Sequence, residues 1–160
     1  MDNVPDNMEG FHRVALELLA QLYDSFPRPM NIDRLEANNL GFAAAPSGAT
    51  EQQSWNIGTM GSDVIEWLAE EGFLRYEPDP SRREGYFWKV RLTLKGLTIL
   101  GYVPSVLQPK EPKEPLIDKV KRTLTSGAAT ATSETIKLVV SQIFKLALAP
   151  GGLIASHIRM

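Results

Sequence analysis

Apolar residues recur at three- and four-residue intervals through Phe11, Val14, Ala15, Leu18, Leu19 and Leu22. That spacing predicts an amphipathic helix from about Met8 to Phe26, closed by Pro27 and Pro29. Ile32, Leu35 and Leu40 predict a short second helix with Asn31 as its N-cap, followed by a small-residue loop over 43–49. Ile57, Met60, Val64, Trp67 and Leu68 share one face at 100° per residue, so a third helix is expected from Gly58, or somewhat earlier, to Glu71. Gly72 stands where a helix C-terminal glycine belongs. The period then changes to two. Phe73 to Glu77 predicts a short strand, Pro78 to Ser81 a turn, and Tyr86 to Leu94 a half-buried strand. Trp88, Val90, Leu92 and Leu94 would face inward, and Phe87, Lys89, Arg91 and Thr93 outward. Thr93 is placed to cap a last short helix, Leu94 to Leu100.

This order gives an α+β domain over residues 1–104, with a hairpin laid against helices. A proline-rich linker, 105–115, leads to a helical tail, 116–160. In the tail, Leu116, Ile117, Val120 and Leu124 form one stripe. After a run of small residues, 126–133, a wider stripe follows: Ile136, Val139, Val140, Ile143, Phe144 and Ala147. Burying such side chains stabilises by roughly 1.5–3 kcal/mol each, so the stripe is expected to be covered. Two-fold association covers it with a single patch. A homodimer through residues 134–148 is therefore expected, with docking onto an unknown protein partner, self-docking and an interfacial membrane helix as the alternatives.

Charge sharpens this picture. The net charge of −2 divides into 9 basic against 15 acidic residues over 1–109, and 8 against 4 over 110–160. An acidic body with a basic tail argues against a broad nucleic-acid surface on the body. There is no cysteine, which removes disulfides, thiolate metal sites and cysteine nucleophiles. The acidic opening MDNVPDNMEG lacks the apolar core of a secretory signal, and no run of roughly 18 apolar residues spans a membrane. A cytoplasmic location is the expectation.

Two segments carry a resemblance. Trp67 to Arg75 (WLAEEGFLR) and Leu92 to Leu97 (LTLKGL) are similar to winged helix-turn-helix proteins. There, L-x-x-x-G-[FY]-[LI] ends the third helix and enters the wing, and LTxKG leaves the second wing strand. The likeness covers about residues 8–104 and implies a winged-helix fold. Ser25-Phe26-Pro27-Arg28-Pro29 and the threonine-rich small-residue segments further on resemble bacterial proteins to which no function is assigned, so no site is carried over.

Winged helices often bind DNA by placing the third helix in the major groove. Here its outward face would hold Thr59, Ser62, Asp63, Glu66 and Glu70, three carboxylates and no base. Carboxylates facing phosphate are repelled and release no counterions. The wing suits DNA better, since Arg82, Arg83, Lys89 and Arg91 are candidate phosphate contacts; the alternative is a solvated tip paired with Asp79 and Glu84. Ile57 to Val64 (IGTMGSDV) matches the GxxG loop of KH domains, but lacks the basic residues usual there. Close helix packing at Gly61 explains those glycines more simply. His12 and His157 stand far apart, and no nucleophile elbow, Walker loop or dinucleotide fingerprint is present. Asp63, Glu66 and Glu70 read as a solvated face before a cation site, and Trp55, Trp67 and Trp88 as core. No catalytic residue, cofactor or metal ligand is assigned. The expected function is a non-enzymatic regulatory or adaptor role through protein interaction, with DNA-binding transcriptional regulation through the wing as the rival.

Overall fold

A computed structural model describes residues 6–44, 48, 50–104, 113–125 and 133–149. Helix α1 spans Asp6–Ser25 and is followed by strand β1, Met30–Ile32. Helices α2, α3 and α4 run over Arg34–Ala44, Glu51–Gly58 and Gly61–Glu70. Strands β2, Leu74–Glu77, and β3, Phe87–Leu92, form the hairpin, and α5 covers Leu94–Gly101. Helices α6, Leu116–Thr125, and α7, Ser133–Leu148, complete the order. The molecule is α+β: helices around a small antiparallel sheet ordered β1-β3-β2. None of the helices among the described residues is long and apolar enough to cross a membrane.

The apolar face of α1 is the centre of the core. Val14, Leu16, Leu18 and Leu22 have no exposed surface, and the helix touches α2, α3, α4, α6, α7 and β3. The WLAEEGFL and LTLKG segments interlock. Gly72 ends α4 in the left-handed region, φ +86°, which an L side chain resists. The Thr93 hydroxyl accepts from the Gly96 N–H as an N-cap and reaches the Gly72 and Phe73 carbonyls. A Cβ on Gly96 would lie 2.2 Å from the Phe73 carbonyl oxygen, so only glycine lets α5 close onto the start of β2. Lys95 Nζ donates to the Glu71 carbonyl at 2.9 Å, satisfying an orphan acceptor at the end of α4.

Four expectations are corrected. First, Asn31 does not cap α2. It lies in β1, a third strand, and its Oδ1 accepts the Lys89 N–H at 2.9 Å. The cap is Asp33, paired with Glu36 in a reciprocal box. Second, the expected third helix is two helices, α3 and α4. Thr59 turns its hydroxyl back onto the Trp55 and Asn56 carbonyls at the break. Third, the alternation of β3 slips. Lys89 takes φ +55° and the pairing with both neighbours is irregular beside it. A residue inserted out of phase exchanges the two faces of a strand. Phe87 is therefore buried and Trp88 half-buried, while Val90 and Leu92 stay inside; Leu94 belongs to α5 and is exposed.

The fourth correction concerns the tail. Ile136, Val139, Val140 and Ile143, expected at an interface, are each at most 2% exposed within the single chain. Helix α7 packs on α1, α5 and α6, and α6 on α1 and α5. The seam is filled by the chain's own helices, so no second copy is needed to remove it from water. Phe144 and Ala147 are half-buried at its end. The linker 105–112, the small-residue run 126–132 and Pro150-Gly151-Gly152 lie outside the described residues, as do Ala45, Pro46, Ser47 and Ala49 of the loop.

Candidate interaction surfaces

Helix α4 is held against α2 by a contact that only glycine permits. A Cβ on Gly61 would fall 1.8 Å from the Ala37 carbonyl oxygen. Close packing thus accounts for the first-turn glycine that also matches a GxxG loop. With that side fixed inward, Val64, Ile65 and Leu68 are buried, and Asp63, Glu66 and Glu70 are exposed, as the helical period required. Burial, together with the charges of Glu66 and Glu70, raises the pKa of Tyr76 above the ordinary tyrosine value. Three exposed carboxylates on one side of α4 make this ridge acidic. Asp63, in the first turn, complements the positive end of the helix dipole, whereas Glu70, in the last turn, meets its negative end with no basic residue beside it there.

Beside this ridge runs a groove of about 460 Å³, lined by Met8, Phe11, Met60, Asp63, Val64 and Trp67. Its walls are α1 and α4. Trp67, expected in the core, is 38% exposed; one edge meets Phe11 at 5.2 Å and the ring lies 5.6 Å from Phe144. Phe144 also approaches Phe11 and Phe73 at 6.1 and 5.8 Å, so an aromatic cluster ties α7 to the groove wall. Met8 is 40% exposed at the groove mouth. Trp55, also expected in the core, projects from α3 at 59% exposure. Sequence periodicity placed Met60, Val64 and Trp67 on one face, yet nothing in it set Met8 and Phe11 opposite them.

The hairpin gathers the four basic candidates, though not equally. Asp79, 6% exposed, accepts both the backbone N–H and the Nε–H of Arg83 at 3.0 Å. This hydrogen bonding lowers the Asp79 pKa and raises that of Arg83. The Arg83 guanidinium also lies 4.1 Å from the centre of the Tyr86 ring, which neighbours Trp88 at 6.1 Å. Arg83 is thereby engaged in holding the turn. Arg82 is exposed at the tip, Lys89 is exposed at the bulge, and Arg91 is half-buried. Arg91 is directly opposite Arg75 across the ladder, a basic residue that sequence reading missed because register decides it.

Among the described residues, no three His, Asp or Glu side chains converge to hold a metal ion. His12 is 9% exposed beneath α7, with its pKa lowered by burial and by Lys137, against an opposing effect of Glu9. His157 lies outside the described residues. No family model matches the chain, and neither a curated protein nor a solved structure matches it.

Proposed function

We propose that this is a winged-helix protein acting through protein–protein interaction, in a regulatory or adaptor role and without catalysis of its own. The winged-helix assignment is supported by the order of elements, the β1-β3-β2 sheet and the interlocked WLAEEGFL and LTLKG segments. Helix α4 then occupies the place of the helix that enters the major groove in DNA-binding relatives of that fold. One observation carries the protein-interaction reading: the exposed side of α4 joins three carboxylates to an open apolar groove. Such a surface repels phosphate and attracts a partner able to bury apolar side chains.

A second reading is favoured by the wing. Like charges directly opposite each other cost stability in a sheet, and Arg75 faces Arg91 in that way. Phosphate contact through Arg75, Arg91, Lys89 and Arg82 would relieve that repulsion.

Electrophoretic retardation of duplex DNA at low salt separates the two. The wild-type chain is expected to leave duplex DNA unretarded. Retardation that an Arg75→Ala, Arg82→Ala, Arg91→Ala variant reduces, with a flatter salt dependence, would replace the adaptor reading with the DNA one.

A further inference from the structure

The groove and the ridge share a period. Met60, Val64 and Trp67 lie at i, i+4 and i+7 from the N-cap of α4 onward, so the apolar wall is two helical turns long, about 10 Å. Asp63 lines the groove, and the helical period places Glu70, seven residues on, along the same edge of α4 beside Trp67; Glu70 also borders Tyr76 together with Glu66, which is further round. Apolar wall and acidic edge therefore repeat in parallel over the same two turns. A flat or extended ligand has no reason to match that repeat, whereas an α-helix presents side chains at the same interval.

Resting on the protein-interaction reading above, we infer that the α1–α4 groove takes an amphipathic α-helix of a partner protein. That helix carries large aliphatic anchors at i, i+3 or i+4, and i+7, and lysine or arginine two turns apart on the edge facing Asp63 and Glu70. The anchors lie between Met8 and Phe11 on one wall and Met60, Val64 and Trp67 on the other. The two half-exposed methionines suit such an occupant, because a thioether adapts its shape to different aliphatic anchors. Charge selects the partner: an acidic amphipathic helix meets repulsion along the same edge. The position of Glu70 in the last turn of α4, unfavourable for the helix itself, has a use in that contact.

The probe is a 14-residue helical peptide of leucine and lysine, titrated into the full chain labelled at its methionine methyl groups. A leucine/glutamate peptide of the same pattern serves as the counterpart. Met8 and Met60 report from inside the groove, and Met30, in a separate depression with Glu17 and Glu36, reports on binding elsewhere. The leucine/lysine peptide is expected to shift the Met8 and Met60 resonances and leave Met30 in place. Asp63→Asn with Glu70→Gln, both at exposed positions, is expected to weaken that binding about tenfold, about 1.4 kcal/mol, by removing two surface ion pairs. The acidic peptide is expected to bind at least as weakly as that variant does. Unmoved Met8 and Met60 resonances, equal binding of both peptides, or an affinity indifferent to the double substitution would each overturn the inference. Those outcomes leave the adaptor reading standing, since the DNA retardation experiment decides it separately.

Discussion

Helices α7 and α4 each carry an apolar stripe beside charged residues, and the fold treats them in opposite ways. The α7 stripe is closed within the chain: Ile136, Val139, Val140 and Ile143 are all but inaccessible against α1, α5 and α6. The α4 stripe is closed only in part. Val64 and Leu68 are inside, but Met60 and Trp67 remain at an open groove. The two stripes have the same periodicity and similar composition. A stripe in a sequence therefore says that something must cover it, and the geometry of the neighbouring elements says what. For α7 the cover is intramolecular, which changes its role from a partner surface to a structural brace for α1.

The sharpest way to break this contrast is Ile143→Ala. Cavity formation at a side chain 1% exposed is expected to cost about 2–5 kcal/mol, read as a lower urea midpoint. Met8→Ala at the groove mouth should change stability by about 0.5 kcal/mol or less in the same titration. Equal small effects at both positions, with Ile143→Ala converting a dimer to a stable monomer in light scattering, would restore α7 as an interface between copies.

Gly61→Ala comes next. The added methyl meets the Ala37 carbonyl, and the α2–α4 contact must open to admit it. Overpacking of this kind costs about 1–3 kcal/mol, and it should also displace the Met60 methyl resonance. A variant as stable as the wild type would mean that α4 is not seated by that contact.

The smallest effect concerns the α1–α7 seam and pH. His12 has a folded-state pKa below 6.5, because burial and Lys137 both oppose its charge. The unfolded chain therefore takes up the proton more readily than the folded one. Stability is full above pH 6.5 and falls as the pH drops from there towards the lower folded pKa. Urea unfolding at pH 7.5 and 5.5 should show a larger loss for the wild type than for His12→Gln. The reverse order would place the Glu9 carboxylate, and not burial with Lys137, in control of the ring.

Most of the local structure was legible in residue types. The α1 stripe, the proline stop, the Thr93 cap and the Gly72 terminus are written in patterns of a few neighbouring residues, and the structure has them. What escaped depends on distant partners. Strand β1 is three residues long and is held through Asn31 by the backbone of Lys89, 58 positions away. The slip in β3 needs a positive φ at a lysine, which no side-chain pattern announces. The break between α3 and α4 falls inside a stripe that reads as continuous helix. Among the site features, the acidic ridge was readable because one helix carries all of it. The groove was not, since it exists only where Met8 and Phe11 come to stand across from Met60 and Trp67.

The small sheet has a consequence for how this molecule meets other chains. Its two outer strands are β1 and β2, of three and four residues. Pro29 precedes one and Pro78 follows the other, and β2 presents Arg75 and Glu77 on its solvent face. Short, proline-bounded and charged edges offer too few open N–H and C=O groups for an incoming strand to extend the ladder. The hairpin is therefore guarded against the edge-to-edge pairing that leads sheet proteins into aggregates. Recognition by strand addition is disfavoured by the same means, in keeping with the helix-borne docking surface proposed above.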